Sequence, residues 1–124
     1  MKPVRAKKKL GQHFLTDLKI ARRIADTLDF DNYKKVVEIG PGMGVLTQFL
    51  ISKTSDLSLI EIDTESVKYL KQKYNDFDLN IIEGDFLKID LKEVIGKSSF
   101  AVIGNFPYNI SCLLYTSPSP RDVL

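Results

Sequence analysis

The chain has 124 residues, 44% of them hydrophobic and 27% charged, ordinary values for a globular domain. That length allows one domain at most, burying roughly two-thirds of the surface that the unfolded chain exposes. No apolar run approaches the ~20 residues of a membrane span, and the basic N-terminus lacks the apolar core of a signal peptide. A cytoplasmic protein with no membrane contact is expected. Cys112 is the single cysteine and His13 the single histidine, which excludes an internal disulfide framework and an ordinary zinc site, so no metal is expected. The net charge of +2 hides an asymmetry. Residues 1–23 hold eight cations (Lys2, Arg5, Lys7, Lys8, Lys9, Lys19, Arg22, Arg23) against Asp17 alone, which is +7 and leaves −5 on the remainder. A basic arm on a mildly acidic domain suits a polyanion, most often nucleic acid, although a solvated leader would carry the same charge.

In chain order, residues 1–11 read as extended, with Pro3 and Gly11 as breakers. Thr16 or Asp17 can cap a helix running to about residue 28, with Leu18, Ile20, Ala21, Ile24, Ala25 and Leu28 on its buried side. Residues 29–35 make a polar connection. Val36, Val37, Glu38 and Ile39 then form a short strand, apolar enough for a parallel strand covered on both faces. Gly40-Pro41-Gly42-Met43-Gly44 follows, and a helical pattern (Val45, Leu46, Phe49, Leu50) runs to about residue 53. Strand, glycine turn and helix bring backbone N–H groups and a helix N-terminus close to a ligand; a turn needing glycine only for its φ angles would look the same. A second strand spans residues 57–63, a helix 64–74, a third strand 79–82 and a helical turn 91–95. The fourth strand, residues 100–103, ends at Gly104-Asn105-Phe106-Pro107-Tyr108. This alternation predicts right-handed βαβ units and a mostly parallel sheet, with the ligand at the carboxyl ends of the strands. Each polar cluster of interest falls at such an end, and there are no internal repeats.

The glycine spacing bears on the ligand. Gly40, Gly42 and Gly44 make G-x-G-x-G preceded by an acid, Glu38, whereas a dinucleotide fingerprint has its third glycine one place later. No Lys-Ser/Thr pair follows, so a phosphate-cradling P-loop is excluded. Glu61 ends the second strand, 21 positions after Gly40. The two oxygens of a carboxylate there suit the two hydroxyls of an adenosine ribose; a solvated acid, or an N-terminal charge for the next helix shared with Asp63, is the plainer reading. Asp85 can accept the exocyclic amine of an adenine, with Phe86 against the ring or offering its backbone N–H. A Gly-Asp turn without any ligand is equally common. Asn105-Phe106-Pro107-Tyr108 is the most specific stretch, although an Asn/Pro turn can simply end a strand.

Glu38 and the G-x-G-x-G turn together resemble the first motif of the class I S-adenosylmethionine-dependent methyltransferases. Asn105 to Tyr108 resembles the N-x-P-Y motif of methyltransferases acting on exocyclic amines. The resemblance implies a Rossmann-like α/β fold with S-adenosyl-L-methionine as cofactor. Glu38, Gly40, Gly42, Glu61, Ile62, Asp85, Phe86 and Asn105 would lie against it, with the turn under its methionine part. An exocyclic amine is a poor nucleophile because its lone pair is delocalised into the ring. The Asn105 side-chain oxygen and the Phe106 carbonyl would each accept an N–H and pull the nitrogen toward tetrahedral geometry. Pro107 would fix the turn, and Tyr108 would stack on the base and favour the cationic amine. Orientation and electrostatics then suffice, once a base held in a stem has been extruded.

Lys7-Lys8-Lys9-Leu10-Gly11-Gln12-His13-Phe14-Leu15, taken with Asn105 to Ser111, resembles the small-subunit ribosomal RNA adenine dimethyltransferases over about residues 4–111. This implies transfer of two methyl groups to N6 of each of two adjacent adenosines near the 3′ end of small-subunit rRNA. The partner would be an immature small ribosomal subunit, and the protein a monomer. Gln12, His13 and Leu15 would lie at the methionine end of the cofactor, and Arg5, Lys7, Lys8 and Lys9 on RNA. Many bacterial members have Asn where His13 stands. The family continues into further strands and a small helical domain. The expected organisation is therefore a basic arm (1–15), a catalytic domain truncated after its fourth strand (16–111) and a tail (112–124) that is truncated or non-native. The fourth strand would then be an exposed edge, and the chain as written is expected not to methylate RNA. Three rivals stand beside this reading. The large-subunit rRNA adenine methyltransferases of macrolide resistance share N-x-P-Y but are disfavoured by the Lys-rich approach to Gly11-Gln12-His13. A non-catalytic RNA-binding or ribosome-assembly factor is disfavoured by the joint presence of Gly40, Glu61, Asp85 and Asn105. A dinucleotide oxidoreductase is disfavoured by the glycine spacing.

Overall fold

Asp17 starts the first helix, α1 (Leu18–Ala25), by accepting the backbone N–H groups of Lys19 at 2.9 Å and Ile20 at 3.3 Å. Two of the four donors that a helix start leaves unpaired are satisfied in this way. The computed structural model describes residues 17–106, 109–115 and 120–122, with side chains for 17–104. Ala21, Ala25 and Leu28 are buried as the helical spacing predicts, but Leu18 is 54% exposed, so α1 meets the core only from Ala21 onward. Regular helix stops at Ala25. Thr27 and Leu28 then donate to the carbonyls of Ile24 and Ala25, a tighter turn that still folds Leu28 inward.

The remaining elements are β1 (Lys35–Ile39), α2 (Thr47–Leu50), β2 (Leu57–Glu61), α3 (Thr64–Lys73), β3 (Asn80–Glu83), α4 (Leu91–Ile95), β4 (Phe100–Phe106), β5 (Asn109–Tyr115) and β6 (Pro120–Asp122). They form one sheet in the order β3-β2-β1-β4-β5-β6, with β3, β2, β1 and β4 parallel. The four parallel strands and the helices between them match the sequence pattern. The chain steps outward from β1 through β2 to β3, then returns to lay β4 on the other side of β1. Strand order therefore reverses between β1 and β4, and in open α/β sheets the ligand crevice lies at that reversal, beyond the strand carboxyl ends.

Side-chain alternation sorts the core into two layers. Val36, Leu57, Leu59, Ala101 and Ile103 face one side, packing with Ala25 and Leu28, with Leu46 and Leu50 around α2 and with Leu70 and Tyr74 of the α3 region. Val37, Ile39, Ile60, Phe100 and Val102 face the other, with Leu91 of α4 and with Phe86 and Ile89 packed against them. By the same period of two, Glu38 and Glu61 belong to the first layer, on the side of α2 and α3.

Two features differ from expectation. β4 continues three residues past Ile103, so Gly104, Asn105 and Phe106 are strand and not turn. Nor is β4 an exposed edge: β5 pairs with it antiparallel from Phe100↔Tyr115 to Phe106↔Asn109, running across the boundary expected after Ser111. Ladder pairing uses main-chain groups, so the open side of β4 recruits the next segment although Cys112-Leu113-Leu114 shows no alternation. Pro120 begins β6 on the outermost strand, where a missing N–H is tolerated.

Gly104 fixes how closely β4 approaches β1. It pairs with Ile39, and a Cβ built on it would lie 2.4 Å from the Ile39 carbonyl oxygen and 2.9 Å from its nitrogen. Both are backbone atoms that cannot move aside. Gly104→Ala is expected to lower stability by about 1–3 kcal/mol through overpacking, read as a fall in denaturant midpoint at unchanged m-value. An unchanged midpoint would show that β4 has slack against β1.

Candidate active site

Three glycines carry the chain out of β1 and into α2. Gly40, Gly42 and Gly44 have φ of +65°, +56° and +84°, the left-handed region that costs other residues roughly 1–2 kcal/mol. The turn is tied down at each step. Gly40 N–H donates to the Ile60 carbonyl at 2.9 Å, and Gly44 N–H to the Pro41 carbonyl at 2.8 Å. Gly42 N–H donates to the Glu61 carboxylate at 2.9 Å. Among the described residues, a Cβ on Gly42 would meet nothing within 4 Å.

Glu61 is the junction of the site. It is 1% exposed, with one carboxylate oxygen accepting from Gly42 and the other accepting the Asp63 N–H at 2.9 Å. It thus holds the glycine turn and the start of α3 together across the carboxyl end of β2. Asp63 caps α3, its carboxylate accepting from the backbone N–H of Ser66 at 3.0 Å and from the Ser66 hydroxyl at 2.8 Å. Charge-assisted bonds of this kind contribute about 1.5–3 kcal/mol each. The plainer reading of Glu61, as a strand-end acid serving the next helix, therefore describes half of what it does.

Glu38 lies in the same layer, also 1% exposed, and accepts the Thr47 hydroxyl at 2.5 Å. In the sequence the only signal for Thr47 is a hydroxyl among the sheet-facing positions Leu46 and Leu50. Burial pushes the Glu38 carboxyl up to about 8, further raised by the Glu61 charge and opposed by the Thr47 hydrogen bond. Near neutrality Glu38 is held largely as the uncharged acid, which reduces repulsion between the two carboxyl groups.

Asp85 sits half-buried beyond β3 and uses one carboxylate oxygen to accept the Leu87 N–H at 2.9 Å. It forms the turn that its sequence suggested as the plain alternative, and among the described residues no bond is made to its second oxygen. The Phe86 ring is partly buried and packs against the second core layer. Ile62, next to Glu61, is 57% exposed and offers apolar surface at the strand end. Asn105 and Phe106 are described as strand backbone, in line with the glycine turn through the pairing of Gly104 with Ile39. Arg5, Lys7, Lys8, Lys9, Gln12, His13, Leu15 and Tyr108 lie outside the described residues. Among the described residues, no group of three His, Cys, Asp or Glu side chains could hold a metal ion, and no helix is long and apolar enough to cross a membrane.

The Glu38 environment makes stability depend on pH. Its folded pKa lies above the ordinary value of 4.5, so between pH 4.5 and 8 the unfolded chain releases a proton that the folded chain keeps. Stability from this group is complete below pH 4.5 and is lost as pH rises toward 8, by at most about 1.4 kcal/mol per unit. Glu38→Gln, which keeps the shape and removes the proton, is expected to flatten the fall in melting temperature across that window. Parallel wild-type and variant curves would contradict the burial of an uncharged acid.

The family model for ribosomal RNA adenine dimethylase matches residues 4–117. The Ribosomal RNA small subunit methyltransferase A of Parabacteroides distasonis is 56% identical over 115 residues, covering 93% of this chain and 43% of the relative. This chain spans less than half the length of the curated relatives it matches. Among solved structures, the 23S rRNA methyltransferase ErmE superposes with a TM-score of 0.57 at 22% identity, covering 73% of this chain and 47% of that one. A dimethyladenosine transferase from Plasmodium falciparum gives 0.53 at 20% identity, over 69% and 41%. At such identities the structural likeness speaks for the fold alone, the class I methyltransferase fold with its parallel strands β1 to β4. The sequence match supplies the rest: the chain belongs to the ribosomal RNA adenine dimethylase family.

Proposed function

We propose that this chain carries the cofactor half of an S-adenosylmethionine-dependent enzyme that dimethylates N6 of two adjacent adenosines near the 3′ end of small-subunit rRNA. Its partner is the immature small ribosomal subunit, and it works as a cytoplasmic monomer without a metal. The observation that carries this reading is the register Ile39↔Gly104, which aligns the strand bearing Asn105 and Phe106 with the glycine turn that follows Ile39.

The residues present fit the cofactor. None of the described residues crowds Gly42, which leaves its backbone open to a ligand on that side. The Glu61 carboxylate that accepts the Gly42 and Asp63 N–H groups stands beside the glycine turn at the carboxyl end of β2, and its two oxygens suit the two ribose hydroxyls. Ile62 gives an apolar flank for the adenine, and the second oxygen of Asp85 an acceptor for its amine. When bound, S-adenosylmethionine supplies an activated methyl group on a sulfonium. The chain's own part is to orient. Asn105 and the Phe106 carbonyl accept the N–H bonds of the target amine and free its lone pair, and Tyr108 stacks on the base. Gln12, His13 and Leu15 close the methionine end, and Arg5 with Lys7 to Lys9 engages phosphate. The proton leaves the amine after transfer, so no buried general base is required.

The test is methyl incorporation from labelled cofactor into immature small subunits, with a protein extended to the length of the curated relatives. Label mapping to adjacent adenosines near the rRNA 3′ end is expected; label in large-subunit rRNA would favour the macrolide-resistance activity instead. In that protein, Asn105→Ala should leave cofactor affinity within a few fold and lower kcat by roughly a hundredfold, because its acceptor matters most as the amine rehybridises. Wild-type turnover in the variant would remove Asn105 from the chemistry.

A further inference from the structure

We propose that the exposed face of α1 is a phosphate-binding ridge, in which Lys19, Arg22 and Arg23 take the backbone of an RNA strand. The inference rests on the proposed function for the identity of the polyanion, and it extends phosphate contact from the arm residues Arg5 and Lys7 to Lys9 to one face of a helix. Positions 19, 22 and 23 are i, i+3 and i+4, one stripe of a helix spanning about 6 Å of axis. All three side chains are exposed, while Ala21 and Ala25 on the other face are fully buried.

The acids at either end of α1 are already engaged. The Asp17 carboxylate accepts two backbone N–H groups, and Asp26 is ion-paired with Lys53 at 2.7 Å. Arg22 lies 5.9 Å over the Phe49 ring and also feels the charge of Asp26 one turn on, so Lys19 and Arg23 are the cations of the ridge left to an external anion. Among the described residues, neither Lys19 nor Arg23 makes an ion pair.

Helix stability accounts for only part of the ridge. Arg22 and Arg23 stand in the last turn, where the helix dipole favours cations. Lys19 stands in the first turn, where it disfavours them; Asp17 at the N-cap already meets the dipole there, and no acid within the turn pairs with Lys19. A cation kept where the helix gains nothing from it points to an external anion. The ridge also follows in sequence directly after the basic arm with Arg5, Lys7, Lys8 and Lys9, so one strand could be followed from arm to helix. α3 is the natural comparison. Its Lys68 and Lys71 are equally exposed, but an acid, Glu65, occupies its first turn as ordinary helix electrostatics prefer.

The experiment uses the 124-residue chain and a fluorescein-labelled oligouridylate, with affinity measured by anisotropy over a range of KCl concentrations. The variants are Lys19→Gln/Arg23→Gln and, as control, Lys68→Gln/Lys71→Gln, which removes the same charge elsewhere. The ridge variant should flatten the slope of log affinity against log salt by about 1.4, from about 0.7 per lost phosphate contact on a single strand. The control should leave the slope unchanged. An unaltered slope in the ridge variant, equal flattening in both variants, or no wild-type binding would each overturn the proposal. Should the double variant melt early, Lys19→Gln alone serves, because losing a first-turn cation does not weaken the helix; about 0.7 of slope is then expected. S-adenosylmethionine is titrated into the wild type in parallel. Failure of that titration would count against the proposed function, and the salt slopes would still decide the ridge.

Discussion

Two buried carboxyl groups beneath one glycine turn constrain everything around them. Glu38 and Glu61 are each 1% exposed at the carboxyl ends of neighbouring strands. Burying two charges together would be costly, and the site avoids this by treating them differently. Glu61 is surrounded by backbone donors from Gly42 and Asp63, while Glu38 receives a single hydroxyl from Thr47 and is held largely neutral by its surroundings. The result ties three things at once: the glycine turn, the first turn of α2 and the start of α3. A ligand approaching the turn therefore meets a surface whose hydrogen bonds are already arranged, the condition under which polar binding costs little reorganisation.

The sheet puts this construction where it can act. The outward march from β1 to β3 and the return to β4 reverse the strand order between β1 and β4, the place beyond the strand carboxyl ends where open α/β sheets bind their ligands, and the glycine turn leaves β1 there. Gly104 then sets the spacing, since its missing side chain lets β4 lie against the Ile39 backbone. Asn105 and Phe106 follow at once on the same strand. The glycine turn and the Asn105–Phe106 segment thus belong to adjacent strands and share one reference frame, which the proposed orientation of an amine against a methyl donor requires.

Much of this was legible in the sequence. The run Val36 to Ile39, the glycine spacing and the alternation of strands with helices are strong local signals, and β1 to β4 with α1 to α4 appear within a few residues of expectation. The motif pair Gln12-His13 and Asn105 to Tyr108 pointed to the family that the sequence match establishes. What was not legible depends on tertiary context. The Thr47 hydroxyl finds Glu38 nine residues away only because the turn folds the helix back over its strand. Leu18 looks like a core residue by spacing, yet α1 reaches the core one turn later. β5 carries no alternation because its pairing uses backbone groups, and the strand beside it decides its conformation. Phe86 follows a turn-forming Gly-Asp pair, and only packing shows that its ring also rests against the second core layer.

The central claim is that Glu61 holds the glycine turn and the cofactor ribose with one carboxylate. Its most direct test is calorimetric titration of the 124-residue chain with S-adenosylhomocysteine and with the analogue lacking the ribose 2′-hydroxyl, repeated in Glu61→Gln. A hydroxyl bonded to a buried carboxylate should be worth about 1–3 kcal/mol, so the wild type should bind the deoxy analogue correspondingly more weakly. In Glu61→Gln the difference between the two ligands should largely vanish. Equal binding of both ligands by the wild type, or a preference that survives in Glu61→Gln, would contradict the account.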